Sequence, residues 1–309
     1  MTRSRRGATD LSGILVVDKP LGMTSHDVVS AVRASTGEGR VGHAGTLDPG
    51  ASGVLVVLVG PATRLAPFLS AATKSYEARI AFGVQTDTDD ADGVPVLIAS
   101  VPDVLADRSF AREQVAALIG ERLQRPPAYS AVKRHGIASH RAARAGRVLA
   151  LDQRPIRVLD ARLEGLSTAP GVAWDLTLTV SKGTYVRSLA RDLGISLGCA
   201  AHLSALRRVS SGPLTLRDAH SLDDVTTSGP DITPRFADPV RALGIPVVEP
   251  SPEITRLALD GRAIDRALCP DAPADGTVAL ADAGRLYAVY RASAERLHPW
   301  VVLPGGASR

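Results

Sequence analysis

The sequence contains little cysteine, few aromatic residues and no long apolar run. Its 2 cysteines, Cys199 and Cys269, provide no disulfide framework and no metal-ligand spacing. Val54–Val59 comes nearest to a continuous apolar stretch and is far too short to span a bilayer. The basic N-terminus is not followed by the apolar core of a signal peptide. These absences predict a cytoplasmic protein with no membrane segment.

Motifs for cofactors and metal ions are also missing. The sequence has no glycine-rich dinucleotide loop and no phosphate loop. The acidic run Asp87–Gly93 resembles a calcium loop at first sight, but it lacks the downstream glutamate that would complete the ligand set. We therefore expect a protein that binds no metal and uses no cofactor.

The 309 residues are 45% apolar, which is enough for one large domain or for a large and a small one. Predicted strands at Gly13–Asp18, Val54–Val59, Lys74–Val84 and Trp174–Val180 are separated by segments of unequal length. Helical patterns are predicted at 25–35, 111–120 and 184–197, with Ser25 as the cap of the first. Without a regular alternation of strands and helices, the pattern predicts a mixed α+β sheet.

The two ends of the chain differ from this central part. Residues 1–11 are predicted to be a flexible basic arm. Three prolines, Pro246, Pro250 and Pro252, indicate a linker, and a hairpin is predicted from Thr277–Leu280 and Arg285–Tyr290. We therefore expect a main domain over 12–245 and a small β-rich module over 246–309.

Basic residues concentrate in one segment, Gln124–Arg157, which we call the basic segment. It contains eight cationic side chains and a single acid, Asp152. The cationic residues are Arg125, Lys133, Arg134, Arg141, Arg144, Arg147, Arg154 and Arg157. A solvated surface normally mixes charges of both signs, so this segment favours contact with phosphates. The alternative is a segment that only faces solvent.

One carboxylate, Asp48, stands in a glycine-rich loop just before the apolar strand. The loop Gly42–Gly53 reads Gly-His-Ala-Gly-Thr-Leu-Asp-Pro-Gly-Ala-Ser-Gly, with His43 five residues before the carboxylate. Its four glycines allow a bulky substrate to approach the backbone closely. Asp48 could be a reactive carboxylate, or it could be a turn acceptor before a buried strand.

Four motifs together resemble the bacterial tRNA pseudouridine-55 synthases of the TruB type. They are Asp-Lys-Pro-x-Gly-x-Thr-Ser from Asp18, Gly-His-x-Gly-x-Leu-Asp-Pro-x-Ala-x-Gly from Gly42, Lys-Gly-Thr-Tyr-x-Arg from Lys182 and Ala-His-Leu-x-x-Leu-Arg-Arg from Ala201. The resemblance covers about Gly13 to Gly212. It implies isomerisation of one T-loop uridine of tRNA to pseudouridine, without a cofactor.

The resemblance also implies a fold and a domain organisation. The expected fold is α+β, with a mainly antiparallel central sheet, flanking helices, a basic thumb insertion at about 124–157 and a PUA-like RNA-binding module at 246–309. The chain departs from the family pattern at Gly50, where many relatives have a larger apolar residue, and in its C-terminal segment. The implied partner is the T-arm of tRNA, and nothing in the sequence demands a protein partner or a dimer.

The same resemblance implies roles for individual residues. Asp48 takes the catalytic position, with Arg187 as the cation that pairs with it and Tyr185 as the second tyrosine of the pocket. Tyr76 matches the aromatic residue that stacks on the target base. The remaining matches hold the RNA, line the pocket or buttress it: His43, Leu206, Lys19 and Pro20, with Arg141, Arg144 and Arg147 on the thumb.

The chemistry of the reaction agrees with this set of residues. An ionised carboxylate can attack the anomeric carbon, giving an acylal, or remove the neighbouring proton, giving a glycal, and the sequence does not decide between them. A nearby cation would keep the carboxylate ionised in a buried pocket. An aromatic side chain such as Tyr76 would replace part of the stacking that the flipped base loses.

Three other functions remain open from the sequence. The chain could be the catalytic subunit of a guide-RNA-dependent pseudouridylation particle, although those relatives lack the thumb insertion. It could be an RNA-folding factor. It could also be a hydrolytic nucleosidase, which would usually need a metal ion or a second carboxylate to activate water.

Overall fold

The structure is a computed structural model that describes residues 9–130, 132–134, 137–144, 147, 149 and 151–307. Residues 1–8 of the predicted N-terminal arm lie outside this part. The chain divides into two compact units. The first contains the chain up to Pro49, Gly53–Ala72 and everything from Ser210 onwards. The second contains Gly50–Ser52 and Thr73–Val209.

The described strands range from two residues to the fourteen of the longest. In chain order they are β1 Gly13–Lys19, β2 Val41–His43, β3 Ala51–Val59, β4 Lys74–Phe82, β5 Val84–Thr86, β6 Pro95–Ile98, β7 Gly120–Gln124, β8 Lys133–Arg134, β9 Ile137–Ala138, β10 Arg154–Ser167, β11 Ala173–Val180, β12 Ala201–Ser211, β13 Leu214–Thr215, β14 His220–Ser221, β15 Val247–Val248, β16 Ile264–Asp265, β17 Gly276–Asp282, β18 Arg285–Ala292 and β19 Arg296–Ala307.

The longest α-helix in the described part of the chain has twelve residues. The α-helices are α1 Ser25–Thr36, α2 Ala66–Ala71, α3 Arg108–Ala116, α4 Ser139–Arg144, α5 Val186–Ser196, α6 Leu222–Ser228, α7 Pro239–Leu243 and α8 Pro252–Leu259. Within the described ranges, no helix combines the length and apolarity that crossing a membrane requires.

The first unit is built around two buried strands. β1 pairs antiparallel with β3 and parallel with β14, and β2 adds to β3 from the side of the Asp48 loop. Ile14–Val17 and Val54–Val59 are fully buried, which explains why both segments read as apolar runs instead of alternating. Parallel and antiparallel pairs therefore both occur in this sheet, which is mixed.

The C-terminal strands of the first unit form a separate five-stranded sheet, in the order β15-β17-β18-β19-β16. It packs on the segment that follows β3. The Phe68 and Trp300 rings meet edge to face at 4.6 Å, and Arg64 donates a hydrogen bond to the Val302 carbonyl at 2.7 Å. Apolar residues of this sheet, such as Leu286, share a core cluster with Val56.

The second unit contains strands in the order β12-β4-β11-β10-β7, and the last four of them pair antiparallel with their neighbours in that order. β4 lies opposite β11 from Lys74, which faces Val180, to Ala81, which faces Ala173. Buried and more exposed residues alternate along β4, as expected for a strand with one face toward the core. Helix α5 packs on this strand.

The main sequence predictions of secondary structure are confirmed, with three corrections. Thr24, not Ser25, caps α1, because its hydroxyl accepts from the Asp27 N–H while the Asp27 carboxylate accepts from the Thr24 N–H. The helix predicted at 111–120 is Arg108–Ala116, capped by Asp107. The motif at Ala201–Arg208 lies on a strand, β12, for which no strand was predicted.

Candidate active site

The Asp48 loop belongs to the first unit as far as Pro49, and this part is braced by the turn that follows β1. The Gly22 N–H donates to the Pro49 carbonyl at 2.9 Å. The Ser25 hydroxyl accepts from the Leu47 N–H at 2.8 Å and donates to the Leu47 carbonyl at 3.0 Å. Backbone atoms on both sides of Asp48 are therefore fixed, and Asp48 itself is half-buried.

Lys19 is the residue that shapes this bracing turn. Its side chain is fully buried, and its Nζ donates to the carbonyls of Pro20 at 2.8 Å and Met23 at 2.7 Å. A buried ammonium needs such acceptors, so the turn is closed around the charge. Pro20 is exposed, and its φ restriction stiffens the same turn. The structure thus brings the predicted Lys19 and Pro20 to the Asp48 loop.

His43 ends β2, where it faces Val57 of β3. Its ring is half-buried. The loop from His43 to Asp48 passes through Gly45, whose φ of 102° is one that L side chains rarely adopt. The glycine is therefore required for the loop to turn between the two predicted site residues.

In the second unit, Tyr76 lies on the buried face of β4, opposite Leu178. Lys74 is on the same face two residues earlier. Burial, helped by the charges of Arg208 and Lys182, lowers the pKa of Lys74 to about 8. Leu206 is half-buried on β12, the strand beside β4.

Tyr185 and Arg187 stand at the start of α5. Tyr185 is the N-cap residue of α5, but its side chain makes no capping hydrogen bond to the first turn of the helix. Instead the buried carboxamide of Gln124 accepts from the Tyr185 N–H at 2.9 Å and donates to the Tyr185 carbonyl at 3.1 Å. The end of β7 is therefore hydrogen-bonded to the first residue of the pair.

Arg187 is buried and binds two carbonyls and a carboxylate of its own unit. Its Nη1 donates to the Thr88 carbonyl at 3.0 Å and lies 3.4 Å from Asp90 Oδ2. Its Nη2 donates to the Tyr129 carbonyl at 3.0 Å. The guanidinium is thus held in one orientation between two loops. Sequence reasoning missed Asp90, which it considered only within the rejected calcium loop.

Arg191, one turn further along α5, repeats this arrangement. Its Nη1 lies 2.8 Å from Asp89 Oδ2, and its Nη2 donates to the Arg125 carbonyl at 2.9 Å. Its guanidinium also meets Asp192 at 2.8 Å. Sequence reasoning missed this residue as well. The available signal was two arginines spaced four apart on a predicted helix, the spacing that puts them on one face.

The predicted RNA-contacting arginines are described less fully. Arg141 and Arg144 belong to α4, and their side chains lie outside the described residues. Arg147 is exposed, and its N–H donates to the Ala142 carbonyl at 2.9 Å. The start of the basic segment, by contrast, is bound to α5 through Gln124, Arg125 and Tyr129.

The described side chains offer acid–base and electrostatic chemistry. Across the ranges that the structure covers, no three His, Cys, Asp or Glu side chains come together as metal ligands. What the units do present is a carboxylate on a braced loop and, separately, a tyrosine and an arginine at a helix start. Such groups can handle protons and stabilise charge.

Comparison with known proteins identifies the family. The model of the TruB family pseudouridylate synthase N-terminal domain matches residues 33–186. The model of the tRNA pseudouridylate synthase B C-terminal domain matches residues 187–229. The matched residues include the Asp48 loop, Tyr76, the basic segment and α5.

Similar proteins cover most of the chain. The tRNA pseudouridine synthase B of Corynebacterium aurimucosum is 42% identical over 93% of this chain and 94% of its own length. That of Thermobifida fusca is 47% identical over 69% and 74%. Among solved structures, a chain of the archaeal box H/ACA sRNP Nop10-Cbf5 complex has a TM-score of 0.68 at 21% identity, covering 94% of this chain and 86% of that one. At that identity the likeness concerns the fold alone. The chain belongs to the TruB family of pseudouridylate synthases.

Proposed function

We propose that this protein is a tRNA pseudouridine synthase, an isomerase that converts uridine 55 in the T-loop of tRNA to pseudouridine with Asp48 as the catalytic carboxylate. The N-glycosidic bond breaks, and a carbon–carbon bond forms between the sugar and C5 of uracil. The C5 proton leaves and N1 gains a proton, so atoms and electrons balance without a redox partner or a cofactor.

The observation that carries the proposal is the braced Asp48 loop in a chain of this family. Hydrogen bonds from Gly22 and Ser25 fix the backbone on both sides of the carboxylate. A carboxylate that acts as nucleophile or base must be held close to the reacting carbon, and rigid positioning supplies much of the rate. A simple turn acceptor would need no such bracing.

The other predicted residues receive roles in the same reaction. Arg187 supplies the cation that favours the ionised carboxylate, and its contacts with Thr88, Tyr129 and Asp90 support that role because they orient the guanidinium. Tyr185 handles a proton at the uracil ring. Tyr76, which is buried on β4, stacks on the flipped base.

Further residues act on the RNA or on the pocket. We propose that His43 holds the target nucleotide out of the loop, that Leu206 lines the pocket and that Lys19 and Pro20 buttress the Asp48 loop. Arg141, Arg144 and Arg147 contact tRNA phosphates, and the module over 246–309 is a second RNA-binding surface. We further propose a monomer that works alone in the cytoplasm, where tRNA is matured.

The rival functions are less well supported. The curated relatives that are 42–47% identical are tRNA pseudouridine synthases B, whereas the likeness to a box H/ACA chain at 21% identity is one of fold. The basic segment also favours direct binding of tRNA over dependence on a guide RNA. An RNA-folding factor would not need the braced carboxylate.

The test is to incubate the protein alone with an unmodified tRNA transcript under single-turnover conditions. We expect pseudouridine at one position from the wild type. Asp48→Asn should form none while it binds tRNA normally, because only the chemical step needs the charge. Asp231→Asn, which changes an exposed carboxylate of the same unit outside the module over 246–309, serves as the control. A rate in Asp48→Asn within about tenfold of the wild type would disprove the role of Asp48. Free uracil would indicate a nucleosidase.

A further inference from the structure

Two arginines of α5 connect the same pair of loops in the second unit. One loop is the acidic turn, Asp87–Gly93, and the other is the root of the basic segment, Gln124–Tyr129, which we call the root segment. Arg187 binds Asp90 and the Tyr129 carbonyl, and Arg191 binds Asp89 and the Arg125 carbonyl. Each arginine therefore joins one carboxylate of the acidic turn to one carbonyl of the root segment.

Asp89 has an unusual environment for a carboxylate of a surface turn. Its φ is +60°, a left-handed conformation that residues other than glycine adopt uncommonly. Its side chain is buried, and burial raises its pKa although Arg191 acts in the opposite direction. A buried ion pair of this kind is weak support for stability. The pair connects the acidic turn to α5 and so fixes where this turn lies on the helix.

The position of Asp89 in the chain shows what the pair controls. Asp89 lies between the two groups of the acidic turn that hold Arg187, the Thr88 carbonyl and the Asp90 carboxylate. Its own carbonyl accepts from the Leu203 N–H at 3.0 Å, so backbone and side chain are both tied down. If the acidic turn lost its contact with Arg191 and moved, the Thr88 carbonyl and the Asp90 carboxylate that bind Arg187 would move as well.

We propose that Asp89 and Arg191 form a positioning pair for pseudouridine formation, which fixes the acidic turn and thereby the orientation of the Arg187 guanidinium. This inference rests on the proposed function, since it gives the pair a role in the same reaction. Asp89 and Arg191 touch no reacting atom in this scheme. They act through Arg187.

The test compares two carboxylates that bind the same arginine. Asp89 meets Arg191 on the buried side, with its side chain 7% exposed, whereas Asp192 meets it with a side chain 41% exposed. Asp89→Asn and Asp192→Asn remove the same charge from Arg191, but only the first loosens the acidic turn. Asparagine tolerates the left-handed φ of position 89. Asp89→Gly, which also fits that φ, removes the side chain altogether.

Single-turnover rates, tRNA affinity and melting temperature are measured for each variant. We expect the rate of the chemical step to fall about tenfold in Asp89→Asn and up to about a hundredfold in Asp89→Gly, since small displacements of catalytic groups have effects of this size. The tRNA Kd should stay near the wild-type value. The melting temperature should fall, because Arg191 then keeps a largely buried charge without its buried carboxylate. The rates are therefore compared at a temperature where every variant is folded. Asp192→Asn should match the wild type in all three measurements.

Two results would refute the positioning role of Asp89 and Arg191 without refuting the proposed function. One is a chemical rate in both Asp89 variants equal to that of Asp192→Asn. The other is a loss of rate that comes with an equal loss of tRNA affinity and disappears at temperatures well below the melting temperature of each variant, which would make the pair a structural one. A wild-type protein that forms no pseudouridine would refute the proposed function, and the positioning pair with it.

Discussion

Gln124 offers the sharpest test of how the root segment acts on α5. Its buried carboxamide makes two hydrogen bonds with the backbone of Tyr185, at 2.9 and 3.1 Å. In Gln124→Met, which has a similar volume, the Tyr185 N–H loses this acceptor. The Tyr185 carbonyl still accepts from the Leu189 N–H at 3.1 Å. Most of the lost stability therefore comes from the Tyr185 N–H, which no longer has the Gln124 oxygen as its acceptor. We therefore expect a destabilisation of about 1–3 kcal/mol.

Gln124→Glu makes the same contact dependent on pH. An ionised glutamate can accept from the N–H but cannot donate to the Tyr185 carbonyl, and it buries a charge. Burial raises the folded-state pKa of this glutamate above the unfolded value of about 4.3. The glutamate variant therefore becomes less stable relative to the wild type as the pH rises from about 4.3 through the higher pKa of the folded state. Relative to Gln124→Met, the glutamate variant should be more stable at pH 5 than at pH 8.

The assay is chemical denaturation at the two pH values, together with the single-turnover rate on tRNA. Because Tyr185 begins the helix that carries Arg187, both variants should lower the chemical rate by about tenfold or more at a temperature where they are folded. Glu121→Met changes an exposed residue of the same strand and serves as the control. Wild-type stability and rate in Gln124→Met would refute the reasoning, because the two hydrogen bonds would then contribute nothing.

Three further predictions concern tRNA binding, base stacking and a buried lysine. Neutralising Arg141, Arg144 and Arg147 together should weaken the salt dependence of tRNA binding. The slope of log K against log salt should decrease by roughly 0.7–0.9 for each phosphate that the protein no longer binds. An unchanged slope in a salt titration would show that these arginines only face solvent. Tyr76→Phe should keep most of the activity, and Tyr76→Leu should lose more. The reason is that stacking of an aromatic ring on a base is worth about 1–3 kcal/mol with or without the hydroxyl. An equal loss of activity in both variants would point to a role for the phenol. Because the pKa of Lys74 is lowered to about 8, its burial penalty is complete below pH 8 and disappears toward pH 10.5. Lys74→Met should therefore be stabilised relative to the wild type most strongly below pH 8, and a pH-independent difference in melting temperature would contradict this.

Sequence patterns predicted the strands of the core well because burial acts on local composition. The apolar runs of β1 and β3 correspond to strands that are buried on both faces. The alternating pattern of β4 corresponds to a strand with one face toward the core. The Gly50 departure shows where such reasoning stops. A Cβ at Gly50 would lie 2.9 Å from Asp92 Oδ2, so a larger residue there requires Asp92 to turn away. Nothing in the local sequence indicates that these two positions meet.

The acidic turn shows why the candidate site was predicted only in part. A run of aspartates predicts that a cation lies nearby, and a calcium ion was rejected because the loop lacks a ligand for it. In the structure the cations are Arg187 and Arg191, about a hundred residues away along the chain. Local spacing shows that two arginines share a helix face, but not which loop that face meets. The partner of a buried charge is decided by tertiary packing, so the charge pairs around a site become visible only once the fold is known.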